Sequence, residues 1–144
     1  MKTTVLDASV AAKWFLPSSA EPLRKQALTL LDSYRAGQLR FVVPDLFWSE
    51  LANVFWKAFR QRRWEQSDAE NALRLARERK FPTLAAIDLL DRAFQIAMAF
   101  DRSVYDGVYI AAALATNSEL VTSDERLANA VAATLPVKWL GSIH

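Results

Sequence analysis

Short apolar segments alternate with longer helical segments along this 144-residue chain, and this alternation restricts the fold more than any other feature. The predicted strands cover residues 3–6, 41–43, 83–87, 120–122 and 137–139. The predicted helices cover residues 10–16, 45–61, 67–79, 89–100, 103–116 and 124–133. One more helix is predicted to follow a Ser18–Glu21 capping box and to end at about Ala36. Strands that alternate with helices form mostly parallel sheets covered by helices. The sequence therefore predicts an α/β sandwich.

The length and composition fit one folded domain, which we expect to span residues 1–144. Hydrophobic residues make up 52% of the chain and charged residues 24%, a balance typical of globular proteins. No stretch of about 20 residues is apolar enough to cross a membrane. Asp7 comes too early for a signal peptide. Together with the lack of cysteine, these features predict a cytoplasmic protein with no membrane partner.

The composition excludes several kinds of catalytic site. The chain has no cysteine, which rules out thiolate nucleophiles and zinc–thiolate centres. Its single histidine is the last residue, His144, so pairs of imidazoles are excluded and a Ser-His-Asp triad is disfavoured. Three glycines are too few for a glycine-rich phosphate loop. Sixteen acidic residues remain, and hydrolysis here is expected to use carboxylates that hold a hard cation.

Four of these acids lie where a ligand site would form. Asp7 and Asp124 follow predicted strands, whereas Glu50 and Asp106 lie within the first turns of predicted helices. Ligands of open α/β sheets bind beyond the carboxyl ends of the strands. Each acid also has a purely structural explanation, because Asp is favoured at helix starts and Asp106 could form a capping box with Ser103. Spacing alone leaves both interpretations open.

Residues 57–80 form a basic segment, with eight basic and four acidic side chains and a net charge of +4. A basic segment beside a more acidic body suits a polyanionic partner. The alternative is a helical face that is simply solvated.

The helix predicted at 45–61 is unusually aromatic. It carries Phe47, Trp48, Phe55, Trp56 and Phe59, and this apolar surface exceeds the arc of about 100° that a core-facing helix needs. Burial on most sides would explain the surplus. An interface with a second subunit or another protein would explain it equally well, since Trp and Phe are enriched in interfaces.

Four segments carry a resemblance to a known family. They span residues 7–17, 44–54, 104–111 and 120–127, and they include the four acids in order. These segments resemble the motifs of PIN-domain ribonucleases, specifically the VapC-type toxins of bacterial toxin–antitoxin pairs. Residues 137–141 resemble a common ending of the family. Gly107 departs from the pattern, because the family commonly has alanine there.

The resemblance implies a three-layer α/β/α sandwich around a five-stranded parallel sheet in the order 3-2-1-4-5. Asp7 and Asp124 would then face each other across the crevice between strands 1 and 4. The resemblance assigns catalysis and metal binding to Asp7, Glu50, Asp106 and Asp124. Polar groups that would support these acids are Ser9, Asn53, Thr122 and Ser123. The implied cofactor is Mg²⁺ or Mn²⁺, both of which favour oxygen ligands.

The implied function is a Mg²⁺-dependent endoribonuclease toxin that cleaves RNA phosphodiester bonds by a metal-activated water. Its expected partners are an RNA substrate, a cognate antitoxin and a second copy of the chain in a homodimer. Candidate contacts to RNA phosphates are Lys13, Lys57, Arg60, Arg62 and Arg63.

Two alternatives belong to other classes. The first is a catalytically weak PIN-like module that binds RNA or protein, and the presence of all four acids disfavours it. The second is a small-molecule phosphatase of the haloacid type. That type has a second Asp two residues after the first, where this chain has Ser9.

Overall fold

The computed structural model describes residues 1–17 and 20–144. Within these ranges, five strands form one sheet: β1 (Lys2–Leu6), β2 (Leu39–Pro44), β3 (Thr83–Leu84), β4 (Glu119–Thr122) and β5 (Val137–Trp139). All neighbouring strands are parallel, and their order is β3-β2-β1-β4-β5. The predicted strand order is confirmed.

Seven α-helices accompany the sheet in the described ranges: α1 (Ala8–Ala11), α2 (Arg24–Arg35), α3 (Leu46–Arg60), α4 (Gln66–Glu78), α5 (Leu90–Phe100), α6 (Val104–Ala115) and α7 (Glu125–Val131). Short 3₁₀ turns follow α1, precede α5 and follow β5, at Ala12–Trp14, Ala86–Leu89 and Leu140–Ser142. The helices flank the sheet, which confirms the α/β/α sandwich. No helix in the described ranges has the length and apolar character needed to cross a bilayer.

The core forms around the central strands and α6. Val5 and Leu6 of β1 and Leu120 of β4 are fully buried, as expected for parallel strands covered on both faces. Helix α6 is buried from Gly107 to Ala113 and packs against β1, β2 and β4. This packing fixes the start of α6, and with it Asp106, relative to the central strands.

Several element boundaries differ from the prediction, and β2, predicted at 41–43, spans Leu39–Pro44. The third strand was predicted at 83–87, but it is the two-residue β3, and Ala86–Leu89 forms a 3₁₀ turn. Alanine has little preference for strands, so this edge segment gains little from extending the sheet. Helix α1 begins at Ala8, two residues earlier than predicted, because the Asp7 side chain caps it. The predicted cap Ser18 lies outside the described residues, and α2 begins at Arg24.

The capping of α4 is also different. A box of Ser67 with Glu70 was predicted, whereas the box observed joins Glu65 and Asp68. The Asp68 carboxylate accepts a hydrogen bond from the Glu65 backbone N–H at 3.1 Å, and the Glu65 side chain accepts one in return. Helix α3 does follow Asp45 as expected, although this residue's side chain forms no capping hydrogen bond within the described chain.

Candidate active site at the carboxyl edge of the sheet

Asp7 lies at the end of β1, at the centre of the strand order. One of its oxygens, Oδ1, accepts a hydrogen bond from the Ser9 backbone N–H at 3.3 Å. The other, Oδ2, accepts a hydrogen bond from the Thr122 hydroxyl at 2.7 Å. Asp7 therefore caps α1 and also reaches across to β4, so its structural and its site roles are compatible.

The ends of β1 and β4 are joined by the polar groups that were predicted to support the acids. The buried Thr122 hydroxyl accepts a hydrogen bond from the Asp124 backbone N–H at 3.1 Å. The Ser123 N–H donates to the Ser9 hydroxyl at 3.4 Å. Asp124 itself caps α7, and its side chain is 48% exposed. The crevice between β1 and β4 thus holds Asp7 and Asp124, as predicted.

Glu50 enters the same pocket from α3. Its Oε1 atom is buried and has no hydrogen-bond partner among the described residues. The Tyr109 hydroxyl lowers the pKa of the Glu50 carboxyl, and it accepts a hydrogen bond from the Ala8 N–H at 3.4 Å. Sequence reasoning missed Tyr109. The available signal was its position one turn after Asp106, on the same face of α6.

Asp106 lies in the first turn of α6, after the cap residue Ser103. The Ser103 hydroxyl accepts a hydrogen bond from the Asp106 N–H at 3.1 Å, which confirms the predicted cap. Arg102 places its Nε 3.7 Å from Asp106 Oδ2 and its Nη2 3.9 Å from Asp124 Oδ2. Sequence reasoning missed Arg102 too, although it lies four residues before Asp106.

The carboxylates of this pocket influence one another's protonation. Burial raises the pKa of Asp7 above its ordinary value, and the charge of Asp106 adds to the rise. Burial raises the pKa of Glu50 as well, aided by the charges of Asp7 and Asp106 and opposed by the Tyr109 hydrogen bond. These couplings mean that carboxylates from three different elements share one electrostatic environment.

Asp106 extends the coupling to the fourth acid. Burial raises the pKa of Asp106, the positive charge of Arg102 opposes this rise, and the charge of Asp124 adds to it. The pKa of the Tyr109 phenol is also raised, by burial and by the charges of Asp7 and Glu50. The phenol is therefore neutral at ordinary pH and acts as a hydrogen-bonding group.

The donor set of the pocket fits a hard cation that keeps several of its waters. Within residues 1–17 and 20–144, no three acidic or imidazole groups are close enough together to hold a metal ion on their own. Mg²⁺ usually binds proteins through one or two carboxylates, with waters and substrate oxygens completing the shell. Oxygen donors and the unpartnered Glu50 Oε1 suit this mode of binding.

The remaining predicted residues are spread along α3 and the turn after it. Asn53 is exposed one turn beyond Glu50, and Lys57, Arg60 and Arg62 are exposed and form no ion pair with any described residue. Arg60 also lies over the Trp56 ring at 5.4 Å.

Two of the predicted phosphate contacts have an acidic neighbour instead. Lys13 is buried and pairs with Glu21 at 3.1 Å, and Arg63 approaches the same carboxylate at 3.8 Å. Their charges are already partly neutralised within the protein. Of the five predicted phosphate contacts, Lys57, Arg60 and Arg62 are therefore the ones without an acidic partner among the described residues.

Burial explains only part of the aromatic surplus of α3, because some of its aromatic side chains are exposed. Phe47 and Phe55 of α3 are buried in the core, whereas Trp56 and Phe59 are 48% and 42% exposed. Trp48 is partly buried and donates its indole N–H to the Thr83 hydroxyl at 3.1 Å. The early part of α3 is core, and its final turns present aromatic surface to solvent.

Comparison with known proteins assigns the family. Residues 4–132 match the model of the PIN domain. Ribonuclease VapC9 of Mycobacterium tuberculosis is 32% identical over 112 residues, which are 75% of this chain and 87% of that protein. Ribonuclease VapC3 of Pyrobaculum aerophilum is 29% identical over 126 residues, covering 86% of this chain and 91% of the relative.

The fold comparison agrees with the sequence comparison. A chain in a toxin–antitoxin complex from Klebsiella pneumoniae superposes with a TM-score of 0.66 at 16% identity, covering 94% of this chain and 95% of that chain. The family model covers most of the chain, and it includes all four acids of the pocket. The chain therefore belongs to the PIN domain family, with VapC ribonucleases among its relatives.

Proposed function

We propose that this protein is a divalent-cation-dependent endoribonuclease that acts as the toxin of a toxin–antitoxin pair. The observation that carries the proposal is that four carboxylates near the carboxyl edge of the sheet interact electrostatically, with the pKa values of Asp7, Glu50 and Asp106 raised mainly by burial and further by neighbouring acidic charges. Crowded carboxylates of this kind favour a bound cation. The relatives named as VapC ribonucleases support RNA as the substrate.

Neighbouring side chains orient the acids of the proposed site. The side chains that would hold the cation are those of Asp7, Glu50, Asp106 and Asp124. Thr122 fixes the orientation of the Asp7 carboxylate, and Tyr109 steadies that of Glu50. When bound, Mg²⁺ or Mn²⁺ supplies Lewis acidity, which lowers the pKa of a water and offsets charge on the phosphodiester.

The proposed RNA contacts extend from the pocket along α3. Glu50 and Arg60 are ten residues apart on this helix, so they are separated by about 15 Å along its axis. Lys57 lies between them and is exposed. Lys57, Arg60 and Arg62 would bind phosphates at some distance from the cleaved bond and hold the strand across the pocket.

The antitoxin is proposed to occupy the groove between α3 and α4. This groove has a volume of about 390 Å³, and its apolar lining consists of Ala52, Phe55, Trp56, Phe59, Ala69 and Leu73. A concave apolar groove between two helices accepts the apolar face of a third helix. The Klebsiella pneumoniae relative is named as a toxin–antitoxin complex, which supports a partner of this kind.

A second copy of the chain is proposed to bind along α5. Ile87, Leu90, Phe94 and Met98 form a line of exposed apolar side chains on α5 and the turn before it, with exposed fractions of 76%, 43%, 55% and 63%. Their spacing of three or four residues places them on one helical face. An apolar stripe of this kind is self-complementary when two copies meet across a two-fold axis.

A chelation experiment tests the proposed activity. Purified protein without antitoxin is incubated with an RNA pool in Mg²⁺ buffer, in excess EDTA, and in EDTA followed by excess Mg²⁺ or Mn²⁺. Cleavage is expected in the first arm, lost in the second and restored in the third. Full cleavage in EDTA contradicts the proposal, and RNA retention without cleavage in every arm favours the binding-module alternative.

A further inference from the structure

Arg102 places a fixed positive charge inside the acidic pocket. Its side chain is 25% exposed and reaches Asp106 at 3.7 Å and Asp124 at 3.9 Å. Both distances exceed those of a hydrogen bond. The Nε atom is buried and has no hydrogen-bond partner among the described residues. The guanidinium is therefore held by charge attraction to two acids.

The side chain of Arg102 is not needed to end α5. The backbone of Asp101 adopts the left-handed conformation, with φ at 53°, and the Arg102 backbone N–H donates to the Ala97 carbonyl at 3.1 Å. These backbone features close the helix whatever the side chain at position 102 is. The contacts of the guanidinium are instead with acids from α6 and from the end of β4.

A guanidinium cannot lose its proton in a protein, so the charge of Arg102 is permanent. Its charge offsets part of the repulsion between Asp106 and Asp124, as the charge of a bound divalent cation would. A cation that enters this part of the pocket meets Arg102 at close range and must also replace it as the partner of the two acids. The two positive groups therefore oppose each other's occupancy.

We propose that Arg102 is an internal counter-ion that competes with the divalent cation for Asp106 and Asp124 and so weakens cation binding. This inference rests on the proposed function, since it assumes that a cation binds at these acids. Arg102 would affect cation binding through its charge and its contacts with the two acids, and it is not a catalytic residue. Its presence raises the cation concentration at which the pocket fills.

Calorimetric titration with Mn²⁺ alone, in the absence of RNA, tests the inference. Arg102→Gln removes the charge and is expected to lower the Kd for Mn²⁺ roughly tenfold, the size of effect that one displaced unit charge has on a nearby divalent ion. Arg102→Lys keeps the charge and is expected to stay close to the wild-type Kd. Arg92→Gln makes the same change on the exposed face of α5 and serves as the matched control.

The outcomes separate this inference from the proposed function. An unchanged or weaker Mn²⁺ affinity in Arg102→Gln, or equal tightening in Arg102→Lys, overturns the counter-ion role. If wild type binds Mn²⁺ and Asp7→Asn does not, the cation site stands even when the Arg102 result is negative. If neither wild type nor Arg102→Gln binds Mn²⁺, both proposals fail. Arg102→Met carries the same expectation and replaces Arg102→Gln if thermal melting shows that variant to be unfolded.

Discussion

Among single residues, Thr122 links two of the acids through one buried hydroxyl. It donates to Asp7 Oδ2 and accepts from the Asp124 backbone N–H. The hydrogen bond to Asp7 also opposes the rise of that carboxyl's pKa. Groups that orient metal-binding carboxylates in this way are as much part of a site as the carboxylates themselves.

Thr122→Val keeps the shape of the side chain and removes both hydrogen bonds. We expect RNA cleavage to fall about 10- to 100-fold, the usual effect of losing a group that orients a metal ligand. The measurement is kcat/KM on a defined RNA. Thr29→Val on α2 is the matched control, because its hydroxyl bonds the Lys25 carbonyl of its own helix. Equal activity of the two variants would show that Thr122 has no orienting role.

The raised pKa values of the acids predict how stability depends on pH. Where a carboxyl has a higher pKa in the folded than in the unfolded state, the folded state binds more protons between the two values. Stability therefore falls as pH rises from the ordinary values, 3.8 for Asp and 4.5 for Glu, through the raised ones. We expect the Tm of Asp7→Asn in EDTA to exceed that of wild type by a margin that grows with pH over this range. A margin that does not change with pH would contradict the raised pKa of Asp7.

The residue types of the site could be predicted from the sequence, but not all of its contacts. Asp7 and Asp124 follow strands and the resemblance identified them. Tyr109 and Arg102 belong to the same pocket and were missed, because helical spacing shows which residues share a face but not where that face points. Lys13 shows the same difficulty, since only the fold brings Glu21 to its ammonium group.

At the level of elements, helices α5 and α6 approach each other closely at Gly107. A Cβ atom built on this glycine would overlap the Ala93 carbonyl oxygen and come within 3.0 Å of the Ala93 carbonyl carbon. Both atoms belong to backbone, so neither can rotate away. This contact gives a physical reason for glycine at a position where the resemblance led us to expect alanine.

Gly107→Ala is therefore expected to destabilise the protein. Overpacking against a rigid neighbour costs about 1–3 kcal/mol, which is offset by up to about 1 kcal/mol from the better helix propensity of alanine. Urea denaturation measures the net change in the free energy of unfolding. A variant more stable than wild type would show that α5 and α6 can separate without cost.

Element boundaries were less predictable than element order. The local sequence predicted a longer third strand than the structure has, and it predicted a different capping residue for α4. Ser67 is the better cap type in general, yet Glu65 and Asp68 satisfy each other's backbone groups here. The alternative caps differ in free energy by only about 1 kcal/mol, so the surrounding structure can decide which one forms.

In the molecule as a whole, the strand order brings the acids together. Asp7 and Asp124 are 117 residues apart in sequence and adjacent in space because β1 and β4 are neighbours. Alternating strands and helices predicted a parallel sheet, but the order of its strands came from the family resemblance. The order could not follow from local pattern, since the same alternation suits several sheet topologies.

The proposed dimer interface is the exposed apolar stripe on α5 and the turn before it, formed by Ile87, Leu90, Phe94 and Met98. Phe94→Glu places a charge at the centre of this stripe and is expected to convert a dimer to a monomer. Phe59→Glu changes the exposed end of α3 and should leave the dimer intact while weakening antitoxin binding. Light scattering after gel filtration gives the mass directly. A wild-type protein that is monomeric at high concentration would contradict the proposed interface.

The claim that the acidic pocket performs RNA cleavage is tested most directly by Asp7→Asn in a cleavage assay. Asp91→Asn, an identical change on the exposed face of α5, is the matched control. The rate of RNA cleavage in Mg²⁺ is measured for both variants and wild type, with circular dichroism to verify the fold. We expect Asp7→Asn to lose at least about 100-fold in rate and Asp91→Asn to match wild type. A folded Asp7→Asn protein that cleaves RNA at the wild-type rate would contradict the account.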